Sequence, residues 1–278
     1  MGLATQREIQ RILKKKEGKP LKGLGQNFLI NKLVIKQTIR AANLKKKDKI
    51  LEIGPGIGVL TLELAKKVRE VVTVEKDPKM VEALKDVLAD HHVKNVKIIS
   101  GDILRLPDTQ YKILNTQYKV VANLPYYITA PVIRKFLEGG KPPSLMVLII
   151  QKEVAQRICA KPPKMNLLAL SVQFYSRPEI IGYVSKKSFW PKPKVDGAIL
   201  RITPMYKNKK TNPGRFFKVA RAGFSQPRKY LGNNLAKELK LNKTLDESQL
   251  ISCVIGPNQR AETLSLEDWI LLTKKFLV

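Results

Sequence analysis

Asn123-Leu124-Pro125-Tyr126 follows the apolar run at residues 118–122 and lies downstream of a glycine-rich turn, Glu52-Ile53-Gly54-Pro55-Gly56-Ile57-Gly58. At the end of a strand this tetrapeptide offers the Asn123 amide oxygen and the Leu124 backbone carbonyl as acceptors for an exocyclic amino group, with the Tyr126 ring beside them. Acceptors so placed draw the nitrogen lone pair out of conjugation with a planar ring, and the nitrogen becomes a better nucleophile as reaction proceeds. Pro125 fixes the local turn. Leu-Pro-Tyr alone would be read as a chain reversal. With the glycine turn upstream it reads as a site for a planar amine beside a second ligand.

The turn narrows the chemistry of that second ligand. Gly54, Gly56 and Gly58 let the backbone turn tightly and approach a ligand closely. A dinucleotide fingerprint would need glycine where Val59 stands, and no Gly-Lys-Ser/Thr triphosphate loop follows. Glu52 suits an amino-acid ammonium group, directly or through water, better than a pyrophosphate. Glu75 ends the next apolar run, where an acidic residue grips ribose hydroxyls in nucleotide-binding sheets. Asp102, in Ser100-Gly101-Asp102, can accept from an adenine amino group. Each has an ordinary reading as a turn residue or a solvated strand end. Together the glycine loop, Glu75, Asp102 and Asn123 mark four successive strand ends, and open sheets bind ligands beyond the carboxyl ends of their strands.

The elements that must position these residues are legible as alternation. Apolar runs at 50–53, 71–75, 96–99, 120–122 and 145–150 are separated by helical patterns, which predicts an α/β fold with a mostly parallel sheet covered on both faces. Asp77-Pro78 reads as an N-cap with proline at the first helical position, followed by a core stripe of Met80, Val81, Leu84, Val87 and Leu88. His91-His92 reads as the solvated end of that helix. Residues 168–175 and 197–202 read as two further strands, separated by the proline-rich segment 189–196 and closing the sheet as an antiparallel hairpin. After Pro204 a polar linker, Lys207-Asn208-Lys209-Lys210, leads to helical patterns only. Ser265-Leu266-Glu267-Asp268 opens the last of these as a capping box. The expected division is a basic N-terminal extension at 1–20, a sheet domain at 21–206 and a smaller helical domain at 207–278, with the boundary near 205–212.

Charge sets the partner. Among 278 residues, Lys and Arg total 52 against 23 Asp and Glu, a formal charge of +29. Such an excess repels itself in the compact state unless a polyanion shares the surface, so nucleic acid is the leading partner and an anionic membrane surface the second. Cys159 and Cys253 have no His or Cys at metal-ligand spacing, so reduced thiols, a cytoplasmic protein and no metal are expected. No run of about 18 apolar residues could span a membrane. The N-terminus lacks a signal peptide's apolar centre and reads as a short basic helix or arm.

From about Leu21 to the C-terminus the chain resembles the KsgA family of S-adenosylmethionine-dependent ribosomal RNA adenine dimethyltransferases. The resemblance is carried by Leu24-Gly25-Gln26-Asn27-Phe28-Leu29, residues 52–58, Asn123-Leu124-Pro125-Tyr126, residues 189–196, Phe224-Ser225-Gln226 with Arg228-Lys229, and Arg260-Ala261-Glu262. It implies a Rossmann-like class I methyltransferase sheet with a smaller C-terminal helical domain. It also implies that Asn27, Leu29, Gly54, Gly56, Glu75, Asp102 and Asn123 contact the cofactor, S-adenosyl-L-methionine. Asn123 and the Leu124 carbonyl would accept from the target amine in the turn made by Pro125, while Tyr126 and Phe189 would stack on the adenine. Arg221, Arg228 and Lys229 of the tail would grip RNA phosphates. The implied substrate is small-subunit ribosomal RNA in the immature small subunit, bound by a monomer. A large-subunit adenine methyltransferase conferring antibiotic resistance is the nearest rival, and the Phe-Ser-Gln-Pro-Arg-Lys and Arg-Ala-Glu segments favour the small-subunit reading. A non-catalytic RNA-binding assembly factor is the rival from another class, against which the intact strand-end constellation argues.

Overall fold

A computed structural model describes residues 3–16, 18–107, 117–205, 211–240, 250–253, 255–256 and 258–276. The chain forms two compact units, one of residues 1–155 and 179–204, the other of residues 156–178 and 205–278.

The first unit is built on a sheet of seven strands. In chain order these are β2 (Lys49–Ile53), β3 (Glu70–Glu75), β4 (Val96–Ser100), β5 (Lys119–Asn123), β6 (Leu145–Gln151), β7 (Ser176–Val184) and β9 (Gly197–Pro204). Their spatial order is β4-β3-β2-β5-β6-β9-β7. The pairs from β4 through β6 are parallel, and β6 pairs with β9 antiparallel. A separate two-stranded ribbon joins β1 (Phe28–Leu29) to β8 (Phe189–Trp190), with Leu29 opposite Phe189. Central strands such as β6 are continuous apolar runs because both faces are covered, and residues 146–150 are fully buried.

Helices α1 (Gln6–Lys15), α2 (Lys32–Ala41), α3 (Val59–Ala65), α4 (Pro78–Asp90), α5 (Thr129–Glu138) and α6 (Lys152–Ile158) alternate with these strands or flank them. The Asp77 side chain caps α4 by accepting from the Lys79 amide, and the expected stripe, with Ala83, is buried. His91 forms the C-cap of α4. The basic N-terminus is a docked helix. Thr5 caps α1, whose Ile9, Ile12 and Leu13 enter the same core as Met80, Leu84 and Leu88. Lys16 Nζ reaches Asp86 on α4 at 2.7 Å.

In the second unit α7 (Leu167–Gln173), α8 (Pro213–Gly223), α9 (Leu231–Leu239) and α10 (Leu266–Phe276) share a core that includes Leu170, Phe216, Leu231, Leu235, Trp269 and Leu272. Ser265 and Asp268 form the capping pattern at the start of α10, the Asp268 carboxylate accepting from the Ser265 amide at 2.8 Å.

Residues 168–175 correct the sequence reading. The expected strand is α7, capped by Asn166, whose side chain accepts from the Ala169 amide at 3.0 Å. Ala169, Leu170 and Val172 form its buried face, and a short apolar run does not by itself distinguish a buried helix from a strand. The partner that lines up beside β9 is β7, which starts where that run ends. Its alternating burial and its Pro178 suit a sheet edge, the position β7 occupies. The segment 156–178 thus leaves the sheet unit and joins the helical one. The third crossing, after Pro204, precedes the polar linker Lys207-Asn208-Lys209-Lys210, which lies outside the described residues.

Candidate active site

β2 and β5 are neighbours whose chains continue to opposite sides of the sheet, and the crevice of an open sheet lies beyond the carboxyl ends at such a reversal. A cavity opens there. Asn27, Leu29, Gly54, Gly56, Glu75, Asp102, Asn123, Leu124, Pro125, Tyr126 and Phe189 all line it, as does Glu52. Arg221, Arg228 and Lys229 belong to the second unit. Arg221 lies in the last turn of α8 and the other two follow in the turn after it, all three exposed. That turn is held by Asn234, whose Nδ2 donates to the carbonyls of Gly223 at 2.8 Å and Gln226 at 3.0 Å.

The glycine turn leaves β2 with the Gly54 amide still donating to Val74 of β3 at 2.9 Å. Gly56 has φ +57°, and a Cβ there would lie 2.9 Å from the Phe28 ring, so the position demands glycine both for its conformation and for the packing of β1. The Gly56 amide donates to Glu75 Oε2 at 3.0 Å, and the Asp77 amide to Glu75 Oε1 at 2.9 Å. Burial raises the Glu75 carboxyl above its ordinary range against the pull of the Asp77, Gly56 and Lys76 amides. The carboxylate is therefore held in one orientation at the wall of the cavity. Asp102 stands at the rim, its Oδ1 accepting from Leu104 at 3.0 Å and its Oδ2 paired with Lys76 Nζ at 3.0 Å. Burial pushes it up, but Leu104 and Lys76 outweigh burial and hold it below the usual carboxylate range.

Glu52 is 1% exposed, and its Oε2 has no hydrogen-bond partner among the described residues. Burial pushes it up to about 8, with the Thr61 side chain opposing and the Glu75 charge adding to the rise. A buried carboxyl oxygen left without a partner costs free energy unless a ligand supplies one. A cationic ligand group in the cavity would do so.

At the end of β5 the Asn123 Nδ2 donates to the Asn27 carbonyl at 2.9 Å. This leaves Oδ1, the acceptor, as the end not engaged in that bond. Leu124 is buried with its amide donating to Ile149 at 3.1 Å, so its own position is set by β6. The Pro125 carbonyl accepts from Ile128 at 3.2 Å, closing the short helical turn Tyr126–Ile128. The Tyr126 hydroxyl is buried without a partner among the described residues, and burial, together with the Asp196 charge, raises its pKa. Phe189 is held in β8 against Leu29, beside the stacked pair Phe28 and Trp190 at 6.5 Å. The arrangement brings the Asn123 amide, Leu124, the Tyr126 and Phe189 rings and three carboxyl groups, Glu52, Glu75 and Asp102, to the lining of one cavity.

Sequence reasoning assigned no site role to Lys76, which ion-pairs with Asp102, or to Gln26 and Asp77, which are bonded to each other at 2.7 Å behind Glu75. Asp77 carried a visible signal as an N-cap, but an N-cap gives no sign that its second oxygen holds a distant loop.

The sequence profile of the ribosomal RNA adenine dimethylase family matches residues 19–276. A curated relative, Ribosomal RNA small subunit methyltransferase A of Dehalococcoides mccartyi, is 44% identical over 90% of this chain and 86% of its own. A crystal structure of a dimethyladenosine transferase from Plasmodium falciparum superposes with a TM-score of 0.76 at 25% identity, covering 88% of this chain and 95% of that one. That of the 23S rRNA methyltransferase ErmE gives 0.73 at 24% identity over 90% and 99%, a likeness of fold. The crevice at the sheet reversal, the extent of the family match and the close relative converge, and the chain belongs to the ribosomal RNA adenine dimethylase family of S-adenosylmethionine-dependent methyltransferases.

Proposed function

We propose that this enzyme dimethylates the 6-amino group of adjacent adenines in a 3'-terminal loop of small-subunit ribosomal RNA during ribosome assembly. The observation that carries the reading is the Asn123 amide, whose donor end is bonded to Asn27 so that its oxygen remains as an acceptor in a cavity that Tyr126 and Phe189 also line. The 44% identical relative is named for the small subunit, which favours that substrate over the large one.

The residues present fit S-adenosylmethionine. The Glu52 carboxyl, whose Oε2 has no partner among the described residues, suits the amino-acid ammonium, Glu75 offers ribose hydroxyls its remaining lone pairs, and Asp102 offers an acceptor to the adenine amino group. Gly54 and Gly56 leave room for close approach, and Asn27, Leu29 and Asn123 complete the wall. When bound, the cofactor supplies an electrophilic methyl group on a sulfonium sulfur. The chain itself aligns the nucleophile: Asn123 Oδ1 and the Leu124 carbonyl accept the N–H groups of the amine, and Tyr126 and Phe189 hold the ring. Neither acceptor takes up a proton at neutral pH, so the proton of the alkylated nitrogen leaves to solvent. After a first transfer one N–H remains, and either acceptor can hold it for the second.

The base must leave its stack to reach this slot, which is cheapest in a loop. Arg221, Arg228 and Lys229 would hold phosphates while it does so. The excess of cationic side chains supports an immature ribosomal subunit as substrate, and we place the enzyme in the cytoplasm as a monomer. Among the described residues no helix is long and apolar enough to cross a membrane. Methyl transfer from labelled cofactor to unmethylated small subunits, with modified nucleotides mapped, tests the reading. Label in adjacent adenines near the 3' end of the small-subunit RNA is expected. Label confined to large-subunit RNA, or none, would overturn it.

A further inference from the structure

Gln26 ties the loop beside the cavity to the strand end that carries Glu75. Its Oε1 accepts from the Leu21 amide at 2.8 Å, and its own amide returns to the Leu21 carbonyl at 3.4 Å, closing residues 21–26 on themselves. Its Nε2 donates to Asp77 Oδ2 at 2.7 Å, a charge-assisted bond between residues 51 positions apart. Asp77 is 5% exposed; its Oδ1 caps α4 through the Lys79 amide at 3.0 Å and its own amide holds Glu75 at 2.9 Å. One residue beyond Gln26, the Asn27 carbonyl accepts from Asn123. Gly25, at φ +61°, lets the backbone lie on Pro125, where a Cβ would come 3.3 Å from the proline Cβ. The loop is therefore pinned at two points, to the ribose side through Gln26 and to the transfer side through Asn27.

We propose that Gln26 is a positioning residue for cofactor retention, its hydrogen bond to Asp77 latching residues 21–27 against the cavity that Glu75 and Asn123 line. The inference rests on the cofactor reading above. Gln26 uses both ends of its amide, donating to a carboxylate and accepting from a backbone N–H, so no other side chain of its length serves both partners. The second pin, from Asn27 to Asn123, does not involve Gln26. Opening the latch consequently weakens cofactor binding while leaving the acceptor aimed at the amine.

The test is the dissociation constant and KM for S-adenosylmethionine with kcat at saturating cofactor. Gln26→Met should raise both constants roughly ten- to a hundredfold, the value of one bond to a charged group, and leave kcat near parental. Gln26→Glu should do the same by setting two carboxylates face to face, and Asp77→Asn by turning an amide donor toward the Gln26 donor while keeping the helix cap. The pair Gln26→Glu with Asp77→Asn should restore parental affinity, because the new amide donates to the new carboxylate and the Leu21 amide keeps an acceptor. Parental affinity in both Gln26 single variants, kcat falling in step with affinity, or no rescue in the pair would overturn the latch. Glu75→Ala and the parental protein run alongside: absence of parental binding would overturn the cofactor reading itself, whereas parental binding with indifferent Gln26 variants would remove the latch alone.

Discussion

Asn123 and Asn27 are bonded through a side-chain donor and a main-chain acceptor 2.9 Å apart, which fixes which end of the Asn123 amide faces the slot. Asn123→Ala should leave the fold intact, since β5 keeps its buried Val120, Val121 and Ala122. Single-turnover transfer at saturating cofactor should fall roughly a hundredfold, as for removal of one preorganised polar group. Near-parental chemistry would remove Asn123 from its assigned role.

Glu75→Ala should weaken S-adenosylmethionine binding by about 1.5–3 kcal/mol, the range for a hydrogen bond to a charged group. The Gly56 and Asp77 amides lose their acceptor in the same variant, so the glycine turn loosens as well. Calorimetric titration checks this, and an unchanged dissociation constant would exclude Glu75 from the ribose site.

Cofactor affinity should depend on pH through Glu52. Its carboxyl ordinarily titrates at 4.5 and is held at about 8 by burial, with the adjacent Glu75 charge adding to the effect and Thr61 opposing it, so it is protonated at neutral pH. A cationic ligand group favours the ionised form, so binding releases a proton and affinity rises with pH, by at most about tenfold per unit between pH 6 and 8. Stability of the cofactor-free protein runs the other way: the folded state holds a proton that the unfolded chain has lost, and that stabilisation disappears as pH rises from 4.5 through 8. Titration in buffers of different ionisation enthalpy measures the released proton. Glu52→Gln should abolish both the release and the slope.

RNA affinity should fall steeply with salt, because cationic side chains displace counterions from phosphates. Neutralising Arg221, Arg228 and Lys229 together should weaken RNA binding and flatten that slope, by about one unit for each phosphate that no longer meets a cation. S-adenosylmethionine affinity should stay the same, since these residues lie in the unit that lacks the cavity. Filter binding across a salt series checks the expectation, and a parental slope would assign the RNA grip elsewhere.

The sheet was legible because burial on both faces makes strands such as β6 uninterrupted apolar runs, and because the residues facing the crevice come at strand ends in chain order. α7 was misread since Leu168, Leu170 and Val172 alternate as in a strand, whereas the face the helix buries is Ala169, Leu170 and Val172. β7 went unseen because Pro178 and Gly182 interrupt its run and because its exposed side carries Ile181 and Tyr183, which blurs the alternation of apolar and polar residues. The latch and the Lys76–Asp102 pair were invisible for another reason: each joins side chains far apart in sequence, with no local pattern to betray the pairing.

The docking of α1 also has a temporal side. Lys16 meets Asp86, which is translated seventy residues later, and Ile9, Ile12 and Leu13 pack among side chains of the same late-arriving helix. At about 5–20 residues per second, that interval lasts roughly 4–14 s. A ten-residue helix is marginal by itself in water. The α1 segment therefore waits on the nascent chain until α4 has emerged and can take up its final packing only then.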